Sequence, residues 1–352
     1  MPLFSGPLRV ALDATYSVGN ELSGVGLYSR EILWGLAAAH PEARLDFCYR
    51  PHRFFRRIPS FPPNVRRRLL AEPLLGPHFA DVFHGLNQRL PRIRLRRAAV
   101  TFHDLFVMTG EYSTPEFRTR FTDQAREAAA RADVIIAVSA FTRNQVVSLL
   151  GVDFNKIRVI HHGVRELDFP TNVRREKVIL NVGAIQKRKN IERLVEAFET
   201  VDHSWTLVLA GGASGFGASE ILDRIERSPA RSRISLLGYV SPSELAIWYA
   251  RAMIFAFPSL DEGFGMPLLE AMSAGVPILT SDRSALPEVV GDAGLLVDPE
   301  NADALSQDLR QLTDDRDLRQ DLVRRGITRV RQFSWRKAIH DTWDVYKNLL
   351  GR

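Results

Sequence analysis

The stretch Met253-Ile254-Phe255-Ala256-Phe257, followed by Pro258-Ser259-Leu260-Asp261-Glu262-Gly263-Phe264-Gly265-Met266-Pro267-Leu268-Leu269-Glu270, decides how this chain is read. Five uninterrupted apolar residues imply a strand buried on both faces, as in a parallel sheet covered by helices. The glycines then mark a tight turn, and Pro267 suits the first helical position, where its missing N–H costs nothing. Leu268, Leu269 and Met272 can face a core, and Gly275 with Pro277 stops the helix. Glycines at a helix start let backbone N–H groups approach an anion, and the helix dipole favours negative charge there. Glu262 sits in the loop before the helix and Glu270 about one turn inside it. A phosphate held at this helix start would therefore have a carboxylate on each side. One could accept hydrogen bonds from ribose hydroxyls and the other from the hydroxyls of a sugar.

The same rhythm runs through the rest of the chain. Apolar runs at residues 8–14, 45–49, 98–102, 134–138 and 157–161 alternate with helix-period segments. The pattern resumes at 178–182, 205–210, 234–237, 253–257, 276–280 and 295–297. Strands alternating with helices imply parallel sheets wound on both faces. The length of 352 residues suits two such domains. The reading is therefore α/β, with two doubly wound Rossmann-like domains facing across a cleft. The break is placed in the charged, aperiodic segment 165–176, giving residues 1–168, residues 169–334 and a closing helix at 335–352. Ligands of open α/β sheets bind beyond the carboxyl ends of the strands.

Composition excludes several classes. Hydrophobic residues at 45% and charged residues at 25% are those of a globular protein. No apolar run approaches the roughly 20 residues that span a bilayer. The start Met1-Pro2-Leu3-Phe4-Ser5 lacks a cationic lead and an apolar core, so a cytoplasmic location is expected. The single cysteine, Cys48, rules out an internal disulfide and reads as a buried strand residue. The formal net charge is +6, and residues 50–97 hold twelve arginines against Glu72 and Asp81. Such a region could meet an anionic membrane surface, nucleic acid or a phosphorylated acceptor, although arginine is heavily used throughout, with only six lysines in the chain. The interleaved stretches Phe54-Phe55-Arg56-Arg57-Ile58 and Arg66-Arg67-Arg68-Leu69-Leu70 suit an anionic membrane best. No recognition-helix or RNA-binding signature supports nucleic acid, and none is expected as a partner. The Pro- and Arg-rich stretch 51–77 reads as a long loop.

The spacing Glu262-x7-Glu270, followed by Ala271-Met272-Ser273-Ala274-Gly275-Val276-Pro277 and Leu286-Pro287-Glu288-Val289-Val290-Gly291-Asp292-Ala293-Gly294, closely resembles glycosyltransferase family 4. The resemblance runs over nearly the whole chain. Gly183-Ala184-Ile185-Gln186-Lys187-Arg188-Lys189-Asn190 is similar to the diphosphate-binding turn of that family. Ser23-Gly24-Val25-Gly26-Leu27-Tyr28 is similar to its N-domain glycine loop, and His103-Asp104 stands where a histidine often reaches the donor sugar or diphosphate. Ser139-Ala140-Phe141-Thr142 and His161-His162-Gly163-Val164 match further landmarks. Many members carry arginine directly after the glycine of the turn, where this chain has Ala184, so the diphosphate charge would rest on Arg188 and Lys189.

The resemblance implies the GT-B fold, with residues 1–168 on the acceptor side, 169–334 on the nucleotide-sugar side and the helix at 335–352 packed back on the first domain. It also implies retaining, metal-independent transfer of a hexose from a nucleoside-diphosphate sugar. The chain is similar to bacterial mannosyltransferases of O-antigen and exopolysaccharide assembly, which implies GDP-mannose as donor and a glycan or polyprenyl-diphosphate-linked acceptor. No cofactor beyond the donor is expected. On this reading Glu262, His103 and Lys189 serve catalysis. Glu270, Arg188, Lys189, Gly263, Phe264, Gly265, Gly24 and Gly26 bind the donor. Asp315-Arg316-Asp317 formally fits an Asp-x-Asp metal motif but reads as charge at a helix start, and no metal is expected. A sugar-nucleotide epimerase of the same fold is the alternative.

Overall fold

The structure, a computed structural model, describes residues 6–19, 21–56, 60–72 and 75–351. The opening residues Met1 to Ser5, and Arg57 and Ile58 of the interleaved stretch, lie outside the described residues. The chain forms two compact units. The first contains the chain up to Met108, Pro115–Gly163 and the end from Ser334, and the second contains Thr109–Thr114 and Val164–Phe333. The passage between them at Gly163 and Val164 thus lies ahead of the expected boundary, and a short piece around Thr109 crosses to the second unit. No helix or strand is formed between Val159 and Glu176, so this connection has no periodic apolar pattern to bury.

In the first unit the strands are β1 (Arg9–Asp13), β2 (Arg44–Tyr49), β3 (Val65–Leu69), β4 (Val82–Gly85), β5 (Ala98–Phe102), β6 (Val134–Ala137) and β7 (Ile157–Val159). Among the described residues they make one parallel sheet in the order β3-β2-β1-β4-β5-β6-β7. Two of these strands are not legible in the sequence. β4 is a four-residue run ending in His84-Gly85, too short to register as periodic. β3 reads Val-Arg-Arg-Arg-Leu and corrects the expectation of a long loop at 51–77, which also holds the short helix Pro51–Phe54. It is an edge strand, and charged side chains on edges deter unwanted pairing.

Six of the twelve arginines of residues 50–97 are engaged in ion pairs. Arg50, Arg68, Arg89, Arg92, Arg96 and Arg97 each stand within ion-pair distance of a carboxylate. Cys48 is fully buried in β2, as its surroundings predict. The closing helix Trp335–Leu349 buries Ala338, Trp343 and Tyr346 in the apolar core formed with β1, β2 and the helix Gly24–Ala39.

The second unit repeats the plan with β8 (Glu176–Val182), β9 (Thr206–Ala210), β10 (Ile234–Gly238), β11 (Ala252–Phe257), β12 (Ile278–Ser281) and β13 (Gly294–Val297). All pair in parallel in the order β10-β9-β8-β11-β12-β13. The order reverses direction between β8 and β11, and such a switch point opens a crevice beyond the strand ends. The loops leaving these two strands carry the cationic turn and the glycine-led helix start.

Candidate active site

β8 runs out into Gly183, and a turn at Lys187–Lys189 follows. Asn190 closes it in the left-handed region at φ 58°, a conformation asparagine tolerates better than most residues. Its side-chain amide donates to the Pro258 and Pro299 carbonyls at 3.1 and 2.7 Å, and the Leu260 N–H donates to the Arg188 carbonyl at 2.7 Å. The turn after β8 is thereby fixed to the loop after β11. A second glycine turn supports it from behind. A Cβ on Gly211 would lie 2.0 Å from the Gly183 carbonyl oxygen, so only glycine allows the two backbones this approach.

These contacts bring three predicted residues into one cluster. The Lys189 ammonium donates to Glu262 Oε1 at 2.5 Å, and Arg188 Nη1 reaches the same oxygen at 2.7 Å. Arg188 Nη1 also donates to the Asp261 carbonyl at 2.7 Å, and Lys189 Nζ lies 4.5 Å from the Phe257 ring centroid. Burial alone would push the Glu262 carboxyl up. The neighbouring Arg188 and Lys189 outweigh it and hold the group at about 2. With the neighbouring Asp261, which interacts electrostatically with both Arg188 and Glu262, the mouth of the glycine loop holds two cations and two carboxyl groups.

Gly265 adopts φ 100° at the N-cap of the helix Met266–Ser273, and Pro267 falls in its first turn. The cap supplies no side-chain acceptor, so the first helical N–H groups are not capped by the chain's own N-cap side chain. Glu270, on the inner face of this helix, is only 5% exposed. It accepts from the Tyr249 hydroxyl at 2.9 Å, and Arg165 Nη1 stands 3.9 Å away. Burial raises its carboxyl above the ordinary range, with Arg165 and Tyr249 opposing. Glu262 and Glu270 thus flank the helix start with shifts of opposite direction.

Three participants escaped the sequence reading. Arg165 directly follows the quoted landmark His161-His162-Gly163-Val164 and was absorbed into the connection. Tyr249 reads as an ordinary core residue of the helix Pro242–Arg251. Asp261 is buried beside Glu262, accepts from the Thr109 hydroxyl at 2.8 Å, and is raised chiefly by burial. Only Asp261 left a signal, as an acidic neighbour of Glu262.

Gly24, Gly26 and His103 belong to the first unit. The Gly26 N–H donates to the N-cap Ser23 hydroxyl at 3.3 Å, while Gly24 is exposed at the helix start. His103 follows β5 and is buried. Its Nε2 pairs with the Leu86 carbonyl at 2.9 Å, its ring meets Tyr28 edge-on at 4.6 Å, and it stacks with His162 at 5.5 Å. Burial lowers it to about 4, with the Leu86 contact opposing, so at neutral pH the imidazole is uncharged. An Nε2–H donating to Leu86 makes Nδ1 the acceptor. Around it, His84 joins Tyr346 at 2.6 Å and Thr101 at 2.8 Å, and Thr101 joins the Tyr28 hydroxyl at 2.9 Å. Asp315 caps the helix Arg316–Val330 by accepting from the Leu318 N–H at 2.8 Å, the helix-start role read for it.

Two parallel doubly wound units, one carrying a cationic turn against a glycine-led helix start, define a GT-B glycosyltransferase. The profile described as "Glycosyltransferase Family 4" matches residues 27–166, and that described as "Glycosyl transferases group 1" matches residues 164–329. The chain belongs to this glycosyltransferase family. It is 31% identical to the O-antigen chain mannosyltransferase B of Escherichia coli over 96% of this chain and 99% of that protein. Among solved structures, sucrose-phosphate synthase from Thermosynechococcus elongatus superposes with a TM-score of 0.80 at 22% identity, covering 98% of this chain and 99% of that one. Anabaena Alr3699/HepE in complex with UDP and glucose gives 0.71 at 18% identity, covering 96% and 98%. These likenesses bear on the fold.

Proposed function

We propose that this enzyme transfers a mannosyl group from GDP-mannose to a hydroxyl of a glycan or lipid-linked acceptor, with retention and without a metal ion, in cell-surface polysaccharide synthesis. The observation that carries the reading is the buried Arg188–Lys189–Glu262 cluster beside a glycine-led helix start. Departure of a nucleoside diphosphate builds negative charge on the β-phosphate. Backbone N–H groups at Gly263–Gly265, the helix dipole and the side chains of Arg188 and Lys189 would stabilise it as it forms. Glu270, oriented by Tyr249, suits the ribose hydroxyls, and Glu262, kept ionised, suits hydroxyls of the sugar. A neutral His103 can accept or donate a hydrogen bond without adding charge.

Mannose is favoured by the relative from Escherichia coli, whose name describes an O-antigen chain mannosyltransferase. A nucleoside diphosphate is favoured by the UDP complex of the Anabaena neighbour. No helix among the described residues is long and apolar enough to cross a membrane. The arginine-rich region of the first unit is read as a peripheral contact with an anionic inner-membrane surface, from a cytoplasmic location, a reading supported by the interleaved Phe54, Phe55 and Arg56.

The test is a thermal-shift series with GDP, UDP and dTDP, since a ligand bound only by the folded state raises its apparent stability. GDP should give the largest shift. Transfer from GDP-mannose should persist in EDTA and yield an α-linked product by NMR. A β-linked product or a metal requirement would overturn the mechanistic part.

A further inference from the structure

Arg175 stands directly before β8, at the end of the aperiodic segment that leads from Gly163 into the second unit. Its Nη1 donates to the Tyr249 and Ala252 carbonyls at 2.8 and 2.6 Å. Its Nη2 donates to the Ala274 and Gly275 carbonyls, the latter at 3.0 Å. Each of these nitrogens carries two hydrogens, so each hydrogen has its own acceptor.

The acceptors belong to the ends of two helices. Tyr249 lies in the last turn of Pro242–Arg251 and Ala252 is its C-cap, while Ala274 and Gly275 follow Met266–Ser273. The last carbonyls of a helix have no partner inside it and carry the negative end of its dipole. One guanidinium thus satisfies both ends at once and fixes their separation. Ala252 also opens β11, where it pairs with Glu176, the residue after Arg175.

These are the helices that carry Tyr249 and Glu270. Four hydrogen bonds close a ring through them. Arg175 Nη1 meets the Tyr249 carbonyl, and the Tyr249 hydroxyl donates to Glu270 Oε2 at 2.9 Å. The Ala274 N–H donates to the Glu270 carbonyl at 3.0 Å, and the Ala274 carbonyl accepts from Arg175 Nη2. The Tyr249 hydroxyl has one proton and a second acceptor within reach, the Pro267 carbonyl at 3.3 Å. A small slide of one helix along the other would therefore hand that proton to the backbone and leave a buried carboxylate short of a donor.

We propose that Arg175 is a positioning residue for the donor: by pinning the ends of both helices it sets, through Tyr249, the aim of the Glu270 carboxylate at the ribose hydroxyls. The inference rests on the donor reading of Glu270 above and deepens it. Lysine cannot take the place of Arg175, because an ammonium has three donors on a single atom and cannot span four carbonyls on two helices.

The test measures binding of GDP and UDP, and of their 2′-deoxy and 3′-deoxy forms, to the full chain by calorimetry, with donor KM, kcat and melting temperature alongside. The ratio of ribose to deoxyribose affinity, taken on the nucleotide that binds more tightly, reads the aim of Glu270. Wild type should favour the intact ribose tenfold or more, and Glu270→Ala should abolish the preference. Arg175→Lys and Arg175→Met should cut it to threefold or less and raise donor KM about fivefold, with a smaller effect on kcat. In the Glu270→Ala background Arg175→Lys should weaken binding no further, since the two act through one carboxylate. Leu305→Ala, in the apolar core of the same unit, should lower the melting temperature and keep the wild-type ratio. If Arg175→Met does not fold, Arg175→Lys, which keeps the charge, carries the test. The proposal is overturned if the Arg175 variants lose stability but keep the ratio, if their loss adds in full to that of Glu270→Ala, or if Leu305→Ala loses the ratio equally. A ribose preference that survives Glu270→Ala would instead strike the donor reading itself, so the two failures are distinguishable.

Discussion

Lys189 and Glu262, 73 residues apart in sequence, meet at 2.5 Å in the second unit, with both side chains almost wholly buried. Their contact exists because β8 and β11 are neighbours in the sheet. It ties the cationic turn to the glycine loop and sets the charge available to a bound diphosphate.

This pair should behave as a coupled unit. Removing one partner of a buried ion pair leaves an uncompensated charge and typically costs about 3–5 kcal/mol. Lys189→Ala and Glu262→Ala should each lower the urea midpoint strongly, although Arg188 still reaches Glu262 in the first variant. The double variant should lose less than the sum. Strict additivity in urea unfolding would refute the coupling. On activity, Lys189→Ala should weaken donor binding, whereas Glu262→Ala should mainly lower kcat.

Glu270 is held for ligand binding by Tyr249 and Arg165, so each should be visible in donor affinity. Glu270→Ala should raise donor KM by tenfold or more. Tyr249→Phe removes one hydrogen bond to a charged acceptor, worth about 1.5–3 kcal/mol, and should raise KM with a smaller effect on kcat. Equal KM values for wild type and Tyr249→Phe would show that the hydroxyl does not orient Glu270.

The pH dependence has a defined sign. His103, ordinarily near 6.5, lies at about 4 in the folded state because it is buried. A depressed folded value means stability that is present above 6.5 and lost as pH falls through about 4. Glu262 acts in the same direction, its contribution present above its ordinary 4.5 and lost toward about 2. NMR titration of the imidazole should show no midpoint between 6 and 7 for His103, and the kcat profile should be flat there. A midpoint near 6.5 would contradict a buried neutral histidine.

Gly211→Ala places a methyl group 2.0 Å from the Gly183 oxygen, where backbone must move. It should cost at least about 1–3 kcal/mol and weaken nucleotide binding by displacing the Arg188–Lys189 turn. Gly212→Ala meets nothing within 4 Å and serves as the control, with an unchanged melting temperature expected.

Much of the fold is legible locally. The apolar runs at 98–102 and 45–49 form β5 and most of β2, because continuous burial leaves a continuous apolar pattern. Pro267 and Gly265 mark the helix start for reasons confined to their own backbone. β3 and β4 were hidden, one by the charge that protects an edge and the other by shortness. The domain passage near Gly163 was displaced because an aperiodic linker gives no marker of where contacts change sides.

The sequence by itself determined which residue types stand at each strand end: glycines before a helix, two adjacent cations, two carboxylates at fixed spacing. Only the tertiary structure decided which ends are neighbours and which charges are buried together. The order β8-β11 gives Glu262 its cations, and the helix Pro242–Arg251 gives Glu270 its tyrosine. The physical reason is that pairing of parallel strands is non-local, while the ionisation of a carboxylate depends on its desolvation and on charges within a few ångströms. Two glutamates identical in chemistry and eight residues apart thereby acquire opposite shifts, one held down to about 2 by Arg188 and Lys189 against the effect of burial, the other raised by burial.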